Sequence, residues 1–305
     1  TFPISLKLYS VKRGEIKEGV SLLYFVNTIG GVIGVIATGF FLIKLYGVNF
    51  SMGVAVALNL IIFVSAMDLS RKYSGKEVER EDETFYGEYP MKVKLLLILF
   101  FFSGFSALAY EVIWGRMLVL YFQGTIYSTS ILLAMFLLGI ALGSLAYYKF
   151  FKPKLIQFAY LQMVIALFAV IGLFIYGIYM SRFGAFDSWL NSLILLSAAM
   201  IFVPSFCFGI IFPLVGEYVL KISREIGSSM GLLYSVNTLG AIVGAFVAGF
   251  VFIPFVGLKG SLILVSLVSL GVGVVGIIIT RKVNFREYEH KDHLGNVRRS
   301  VYIVC

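Results

Sequence analysis

One acidic residue, Glu111, stands inside the long apolar segment SGFSALAYEVIWGRMLVLYFQGTIYSTSILLAMFLLGIALGS, which covers residues 103–144. Gly104, Ala107 and Gly115 share the Glu111 face of a helix, because residues three and four apart lie above one another. Placing a carboxylate at the centre of a membrane helix costs about 2.5–3.5 kcal/mol on insertion scales. Since small residues line its face, we expect Glu111 to point at another helix or at a cavity rather than at lipid.

Two kinds of chemistry stay open for Glu111. In the first, its carboxylate forms a structural clamp with Arg116 or with the amide of Asn237, and Tyr110 and Tyr127 are weaker partners. Arg116 follows about 7.5 Å along a helix axis and can also extend to the outer membrane interface. In the second, Glu111 binds a proton or serves as the counter-charge of a cation. If helices that complete the cavity lie outside this chain, the carboxylate faces an empty space.

The composition places these residues in a membrane. Of the 305 residues, 60% are hydrophobic and 13% are charged, and the mean hydropathy is +0.96, whereas soluble domains carry about 25% charged residues. Eight apolar segments reach the roughly 20 residues that one helical crossing needs. They cover residues 20–43, 50–69, 95–115, 125–148, 155–180, 191–213, 230–255 and 260–280. These segments lack the alternation of apolar and polar residues that is typical of membrane β-strands. We therefore predict an all-α polytopic membrane protein with about eight transmembrane helices.

The distribution of positive charge predicts the orientation in the membrane. Cytoplasmic loops of membrane proteins are enriched in Lys and Arg. If residues 1–19, 71–92, 149–154, 221–229 and the tail from Arg281 are cytoplasmic, these regions hold 20 of the 25 Lys and Arg, and Lys94 beside the linker makes 21 on that side. We therefore predict a protein of the cell (inner) membrane with both termini in the cytoplasm. The net charge of +9 follows from this topology and gives no reason to expect a nucleic acid as partner.

The sequence repeats itself at an offset of 210 residues. The strings SLLYFVNTIG and GLLYSVNTLG stand at equivalent positions of the two copies, and the match continues beyond them without a gap. Asn27 of the first copy aligns with Asn237 of the second. We expect residues 20–69 to superpose on residues 230–279 as a pair of helices.

The second copy is complete, and the first is truncated. Residues 94–282 contain six predicted helices, whereas residues 1–69 contain the counterparts of the last two. A charged cytoplasmic linker, 70–93, joins the copies, and a cytoplasmic tail, 283–305, follows. Because six crossings return the chain to the same side, the repeats are parallel, which resembles the two halves of a major-facilitator transporter. We therefore expect this chain to be a piece of a twelve-helix protein. The N-terminal helices of that protein would be partners that this chain lacks. The alternative is a protein with eight helices.

Small residues recur every four positions on several predicted helices. The pairs are Gly30 with Gly34, Gly139 with Gly143, and Gly240 with Gly244. Such strips let helix backbones approach closely in lipid, where hydrophobic burial does not drive association. Asn27 and Asn237 lie one turn before the first glycine of their strips. We interpret the two asparagines as hydrogen-bonding ties between helices or, alternatively, as substrate contacts.

The chain contains no recognisable catalytic or cofactor motif. A Gly-rich phosphate loop, a nucleophile elbow and zinc-ligand spacing are all missing from the loops. Cys207 lies in a predicted helix and Cys305 at the last position, so the two differ in depth and form no disulfide framework. The only histidines, His290 and His293, stand in a tail with too few supporting ligands for a metal. We predict no catalytic residue, no metal and no cofactor.

Two segments of the chain are similar to those of a known family. The segment 103–144, together with GLLYSVNTLGAIVGAFVAGFVFIPFVG, resembles the membrane region of fused spermidine synthase-like proteins, and the resemblance covers residues 1–282. In that family a major-facilitator-like helical region is joined to an aminopropyltransferase domain. The enzymatic half needs a Gly-rich turn followed by acidic residues, which this sequence lacks. Enzymatic activity of the intact protein therefore stays open, and we expect none in this chain.

Two functions follow from this resemblance. The first is an integral membrane transporter for a small cationic metabolite such as a polyamine. Its substrate or ion residues would be Glu111, Arg116, Asn237, Asn27 and Tyr110. The second is a membrane anchor or scaffold for an aminopropyltransferase whose catalytic domain lies elsewhere. The lipid bilayer is the partner that both functions share.

The predicted topology is testable by labelling of an introduced cysteine. In a variant without Cys207 and Cys305, a cysteine at Arg80 should resist a membrane-impermeant maleimide in intact cells and react after permeabilisation. A cysteine at Asn49, which the same topology places in an outer turn, should react in intact cells and serves as the control. Ready labelling of position 80 from outside would contradict the topology and the alignment of the repeats.

Overall fold

The computed structural model of the chain describes residues 16–73, 91–121, 126–183, 189–223 and 226–282. All of these residues are helical except the short turn 151–154, and no strand occurs among them. In chain order, the α-helices are α1 (Ile16–Ile36), α2 (Ile43–Tyr73), α3 (Met91–Tyr121), α4 (Ile126–Phe150), α5 (Leu155–Phe183), α6 (Trp189–Ser223), α7 (Ile226–Phe246) and α8 (Ile253–Lys282). The π-helical segment π1 (Ala37–Leu42) joins α1 to α2, and π2 (Val247–Phe252) joins α7 to α8.

Six helical stretches of the described chain are long and apolar enough to cross a membrane. Helices suit these apolar runs because they satisfy every backbone hydrogen bond within one segment, which the hydrocarbon core requires. The stretches Glu18–Asp68 and Gly227–Arg281 contain 51 and 55 residues, each enough for two crossings at about 20 residues each. The all-α polytopic membrane class is confirmed, while the number of eight membrane crossings stays a prediction.

The same backbone features follow α1 and α7. The segments π1 and π2 stand 210 positions apart, and each is followed by a glycine in the left-handed region, Gly47 (φ 80°) and Gly257 (φ 69°). Ser51 donates a hydrogen bond to the carbonyl of Gly47 at 2.8 Å, and Ser261 does so to that of Gly257 at 2.6 Å. The aligned positions therefore carry the same local structure, and superposition of the two whole helix pairs stays a prediction.

Helix α3 packs against helices on several sides. It packs against α7 and α8, and α4 packs against α6 on one side and α1 on another. Helix α5 lies against α6 and α8. The largest fully buried side chains come from α3, α4 and α5: Trp114, Tyr110, Tyr147, Phe100 and Phe158. The bundle thus includes α3, the helix that carries Glu111.

The contact between α7 and α3 is a close approach of two backbones. A Cβ atom at Gly240 would overlap the carbonyl oxygen of Phe101, and one at Gly244 would overlap that of Phe105. Helices come this close only where a residue without a side chain faces the neighbouring backbone. The glycines of α7 therefore fix the distance between the two helices.

The glycines of α4 make a similar contact with another helix. Gly139 faces Ser205 of α6, and a Cβ atom at Gly143 would overlap the carbonyl oxygen of Phe206. By contrast, Gly30 and Gly34 of α1 have no atom within 4 Å of a Cβ position, and both are exposed. Within the described structure, the glycine pairs of α7 and α4 therefore make close helix contacts, whereas the pair of α1 makes none.

Helix α6 continues to Ser223, well beyond the predicted end at residue 213. The apolar segment 191–213 therefore covers only part of this helix. In the structure Glu217 is only 4% exposed, and apolar residues on both sides of it continue the helix.

The α7–α3 contact generates a prediction with an internal control. We expect Gly240→Ala to lower the thermal unfolding temperature of the purified chain in detergent, because overpacking at a close contact costs about 1–3 kcal/mol. Gly30→Ala is the matched variant: its Cβ atom has open space, and alanine favours a helix over glycine by about 1 kcal/mol. Equal effects of the two substitutions would contradict the different packing of α1 and α7.

Candidate functional site

Glu111 lies on a face of α3 that is flanked by two other helices. Gly104 shares this face and lies against Asn237 of α7, whose side-chain oxygen would be 2.7 Å from a Cβ atom at Gly104. Gly115, one turn beyond Glu111, lies near Leu132 of α4, whose methyl carbon would be 3.9 Å from a Cβ atom at Gly115. Along the axis of α3, Glu111 therefore lies between the site where α3 contacts α7 and the site where α3 contacts α4.

Glu111 is partly exposed, and no hydrogen bond or ion pair joins its carboxylate to another residue in the described part of the chain. Asn237 lies at the level of Gly104, which is about 10.5 Å along the helix axis from Glu111. Arg116 is exposed five residues later and forms no ion pair with Glu111. The structure thus brings neither partner of the expected clamp onto the carboxylate, which leaves it free to accept a positive charge.

Tyr110 is fully buried and turns toward α8, away from the face of Glu111. Its hydroxyl lies 3.1 Å from the Oγ atom of Ser266 and 3.4 Å from that of Ser269, and its ring stacks on Trp114 with centroids 5.1 Å apart. These contacts satisfy the phenol inside an apolar bundle. Tyr110 therefore joins α3 to α8 in this structure, and its hydroxyl bonds to the serines of α8 rather than to the Glu111 carboxylate.

The other aromatic and amide residues of the prediction lie on different elements. Tyr127, in the first turn of α4, packs against Phe40 of π1 with ring centroids 5.3 Å apart. Asn27 is exposed on α1. The residues singled out from the sequence therefore do not converge on one pocket, and no hydrogen bond or ion pair joins any of them to the Glu111 carboxylate in the described ranges.

A second acid, Glu217, was missed as a site by the sequence analysis. Its side chain is buried in α6, where Tyr147 of α4 donates a hydrogen bond to Oε2 at 2.6 Å. Lys221 Nζ lies 3.2 Å from Oε1 on the next turn of the same helix. The available signal was the four-residue spacing of Glu217 and Lys221, which favours an ion pair on a helix. Glu217 is therefore neutralised within the chain and ties α6 to α4.

An uncharged polar pair joins α3 to α5. The side-chain amide nitrogen of Gln162 donates to the hydroxyl of Ser103 at 2.5 Å, and both residues are buried. The oxygen of the same amide has no partner in the described structure. Which end of an amide carries the nitrogen is assigned from such contacts, so one polar atom of Gln162 stays unpaired in either orientation.

No group of three or more His, Cys, Asp and Glu side chains is placed to hold a metal within the described ranges. Cys207 is buried in α6. Cys305 and the two histidines of the tail, His290 and His293, lie outside the described residues. The chemistry that the described site offers is therefore that of one free carboxylate in an apolar helix.

Comparison with known proteins gives one result. A sequence profile described as Major Facilitator Superfamily matches residues 9–245, which are 237 of the 305 residues. The matched part includes α1 to α6 and most of α7. Neither the curated proteins nor the solved structures contain a match to this chain.

The two membrane acids should differ in their importance for stability. We expect Glu217→Gln to destabilise the purified chain by about 1–3 kcal/mol, because it weakens a buried hydrogen bond and removes an ion pair. Glu111→Gln should change stability by less than about 0.5 kcal/mol, the usual range for a residue without such partners. Chemical unfolding in detergent measures both. A loss at Glu111 as large as that at Glu217 would show that Glu111 has a structural partner.

Proposed function

This chain belongs to the Major Facilitator Superfamily, and from that membership we propose that it transports a small cationic metabolite, such as a polyamine, with Glu111 as the counter-charge. Membership in this family supports a transporter-like role for the chain in the membrane. The choice of a cation rests on one observation: the carboxylate of Glu111 stands in an apolar helix, is partly exposed, and has no partner in the described structure.

An unpaired carboxylate in this place is unfavourable unless something binds it. Water and lipid headgroups are scarce at the centre of a bilayer, and polar side chains there face a cavity or one another. A cationic substrate or a proton would remove the penalty during transport. Since Lys221 and Tyr147 already pair with Glu217, Glu111 is the one of these two acids that can accept a further hydrogen bond or charge.

The charge of the site limits the substrate class. One carboxylate neutralises one ammonium group, so a compound with several amines needs further acceptors for its other nitrogens. Hydroxyl, amide and backbone carbonyl oxygens accept hydrogen bonds from an ammonium group. The proposal is therefore a small organic cation bound through one nitrogen at Glu111, with a linear polyamine as the compound to test first.

Transport requires access to Glu111 from each side of the membrane in turn. In transporters built from repeats, one bundle rocks against the other around a fixed site. The close α3–α7 contact holds the Glu111 helix within its own bundle, so the bundle should move as a unit. We place both termini in the cytoplasm of the cell (inner) membrane, as the distribution of Lys and Arg indicates.

The scaffold function also stays a proposal. No contact in the described ranges favours an aminopropyltransferase partner, and that reading still rests on the sequence resemblance alone. A Gly-rich AdoMet-type domain in the intact protein would favour it over transport.

Uptake into proteoliposomes tests the transport proposal. We expect the purified chain to accumulate labelled spermidine, and Glu111→Gln to reduce the uptake at least about tenfold, because removing the counter-charge of a bound cation should cost about 1.4 kcal/mol or more. Glu111→Asp should keep part of the activity, since it keeps the charge.

Asp68→Asn is the matched control for the uptake assay. Asp68 is an exposed acid of α2, so its substitution removes the same charge from another place and should leave uptake unchanged. Equal uptake by wild type and Glu111→Gln would reject Glu111 as the counter-charge. If the folded wild-type chain takes up no organic cation when transport by other charge classes is detected, the substrate class is wrong.

A further inference from the structure

The connection between α4 and α5, which we call the basic turn, covers residues 149–154 and has the sequence KFFKPK. The helical stretches on its two sides, Ile126–Phe150 and Leu155–Ile178, are each long and apolar enough to cross a membrane. The four residues between them reach about 14 Å when fully extended, so the turn can rise only about 7 Å above the helix ends. The headgroup layer of a bilayer is about 5–8 Å thick. The basic turn therefore lies among the lipid headgroups.

The basic turn carries three lysines whose charges are not balanced by an acid. Lys149, Lys152 and Lys154 are exposed, and none of them forms an ion pair with a residue in the described ranges. The buried acid of α6, Glu217, is already paired with Lys221 at 3.2 Å. Three positive charges therefore face the headgroup layer on one short turn.

Two neighbouring aromatic rings fix the orientation of the basic turn. The ring of Phe151 stacks on that of Tyr147 with centroids 6.3 Å apart, and its backbone N–H donates to the Tyr147 carbonyl at 3.2 Å. The Tyr147 hydroxyl in turn donates to Glu217 of α6. Phe150, the preceding residue, is 80% exposed. The turn is therefore attached to the bundle through Phe151, and Phe150 is left on its outer surface.

The backbone that carries the lysines is ordered as well. The N–H of Gln157 donates to the carbonyl of Lys154 at 2.9 Å, at the beginning of α5. Pro153 restricts the backbone between the last two lysines, because its ring fixes φ. Binding loses less entropy when the groups that make the contact are already positioned. The basic turn is thus a prepared surface for an anion.

We propose that the basic turn binds the headgroup of an anionic phospholipid. Its lysines donate charge-assisted hydrogen bonds to the phosphate oxygens, and Phe150 packs against the upper part of the acyl chains. Binding at a membrane interface gains from buried apolar area and from attraction to anionic lipids together, and the turn supplies both. The proposal depends neither on Glu111 as a cation site nor on which side of the membrane is cytoplasmic.

Other occupants fit the basic turn less well. A free phosphate ion has no acyl chain for Phe150 to contact, and a zwitterionic lipid adds a positive amine beside the lysines. The acidic stretch 77–83 of the linker is a possible internal partner by charge. Residues 71–92, however, contain five Lys and Arg beside six Asp and Glu, so the linker as a whole offers little net negative charge.

A lipid titration followed by native mass spectrometry tests the proposal on the purified full chain in detergent. Phosphatidylglycerol should bind at least about tenfold more tightly than phosphatidylcholine with the same acyl chains. The double variant Lys152→Gln/Lys154→Gln should lower the affinity for phosphatidylglycerol about tenfold or more, because each basic residue at an anionic membrane surface contributes about fivefold. Its affinity for phosphatidylcholine should stay the same.

The matched control is the double variant Lys44→Gln/Lys259→Gln. It removes the same charge from two other exposed lysines, on α2 and α8, and should keep the affinity for phosphatidylglycerol. Phe150→Ser should lower this affinity about threefold or more, because it removes the apolar contact. All of these variants should unfold at the wild-type temperature without added lipid, since exposed substitutions change stability by less than about 0.5 kcal/mol.

Three results would overturn the proposal. An equal loss of phosphatidylglycerol binding in the two double variants would show diffuse attraction by net charge. Competition by glycerol 3-phosphate at the concentration of the lipid would show a site for free phosphate. Binding that appears only after the five acids of residues 77–83 are changed to their amides would show that the linker occupies the turn.

Discussion

The structure depends on the contact of two helix backbones, where Gly240 and Gly244 of α7 meet the carbonyl oxygens of Phe101 and Phe105 on α3. In lipid, helices associate through close packing and polar contacts rather than through hydrophobic burial. Because these two residues have no side chain, α7 can approach α3 closely. Helix α3 then packs between α7 and α8. The same contact places Gly104, on the Glu111 face of α3, against Asn237 of α7.

The same contact decides how the two membrane acids differ. Because α3 meets α7 through Gly104 and α4 through Gly115, Glu111 stands between the contacts and remains partly exposed. Glu217 is buried between α6 and α4, where Tyr147 and Lys221 satisfy it. Glu217 thus ties two helices of the bundle together, whereas the carboxylate of Glu111 has no partner among the described residues.

Much of this arrangement could be predicted from the sequence, because apolar length and helical periodicity are local properties. They predicted an all-helical membrane chain and the small residues on the Glu111 face. They could not predict which neighbour each face meets. Tyr110 turns to Ser266 and Ser269 on a helix more than 150 positions away, and the role of Glu217 depends on Tyr147 of another helix. Such partners are set by tertiary packing.

The central claim is that Glu111 is a free carboxylate that binds a cation. A hydrophobic carbodiimide reacts with accessible protonated carboxyl groups inside membranes, and peptide mass spectrometry locates the product. We expect the reagent to modify Glu111 and to spare Glu217, which is 4% exposed and paired. Added spermidine should protect Glu111 in a concentration-dependent way. Modification of Glu111 that spermidine and other organic cations leave unchanged, or selective modification of Glu217, would contradict the account.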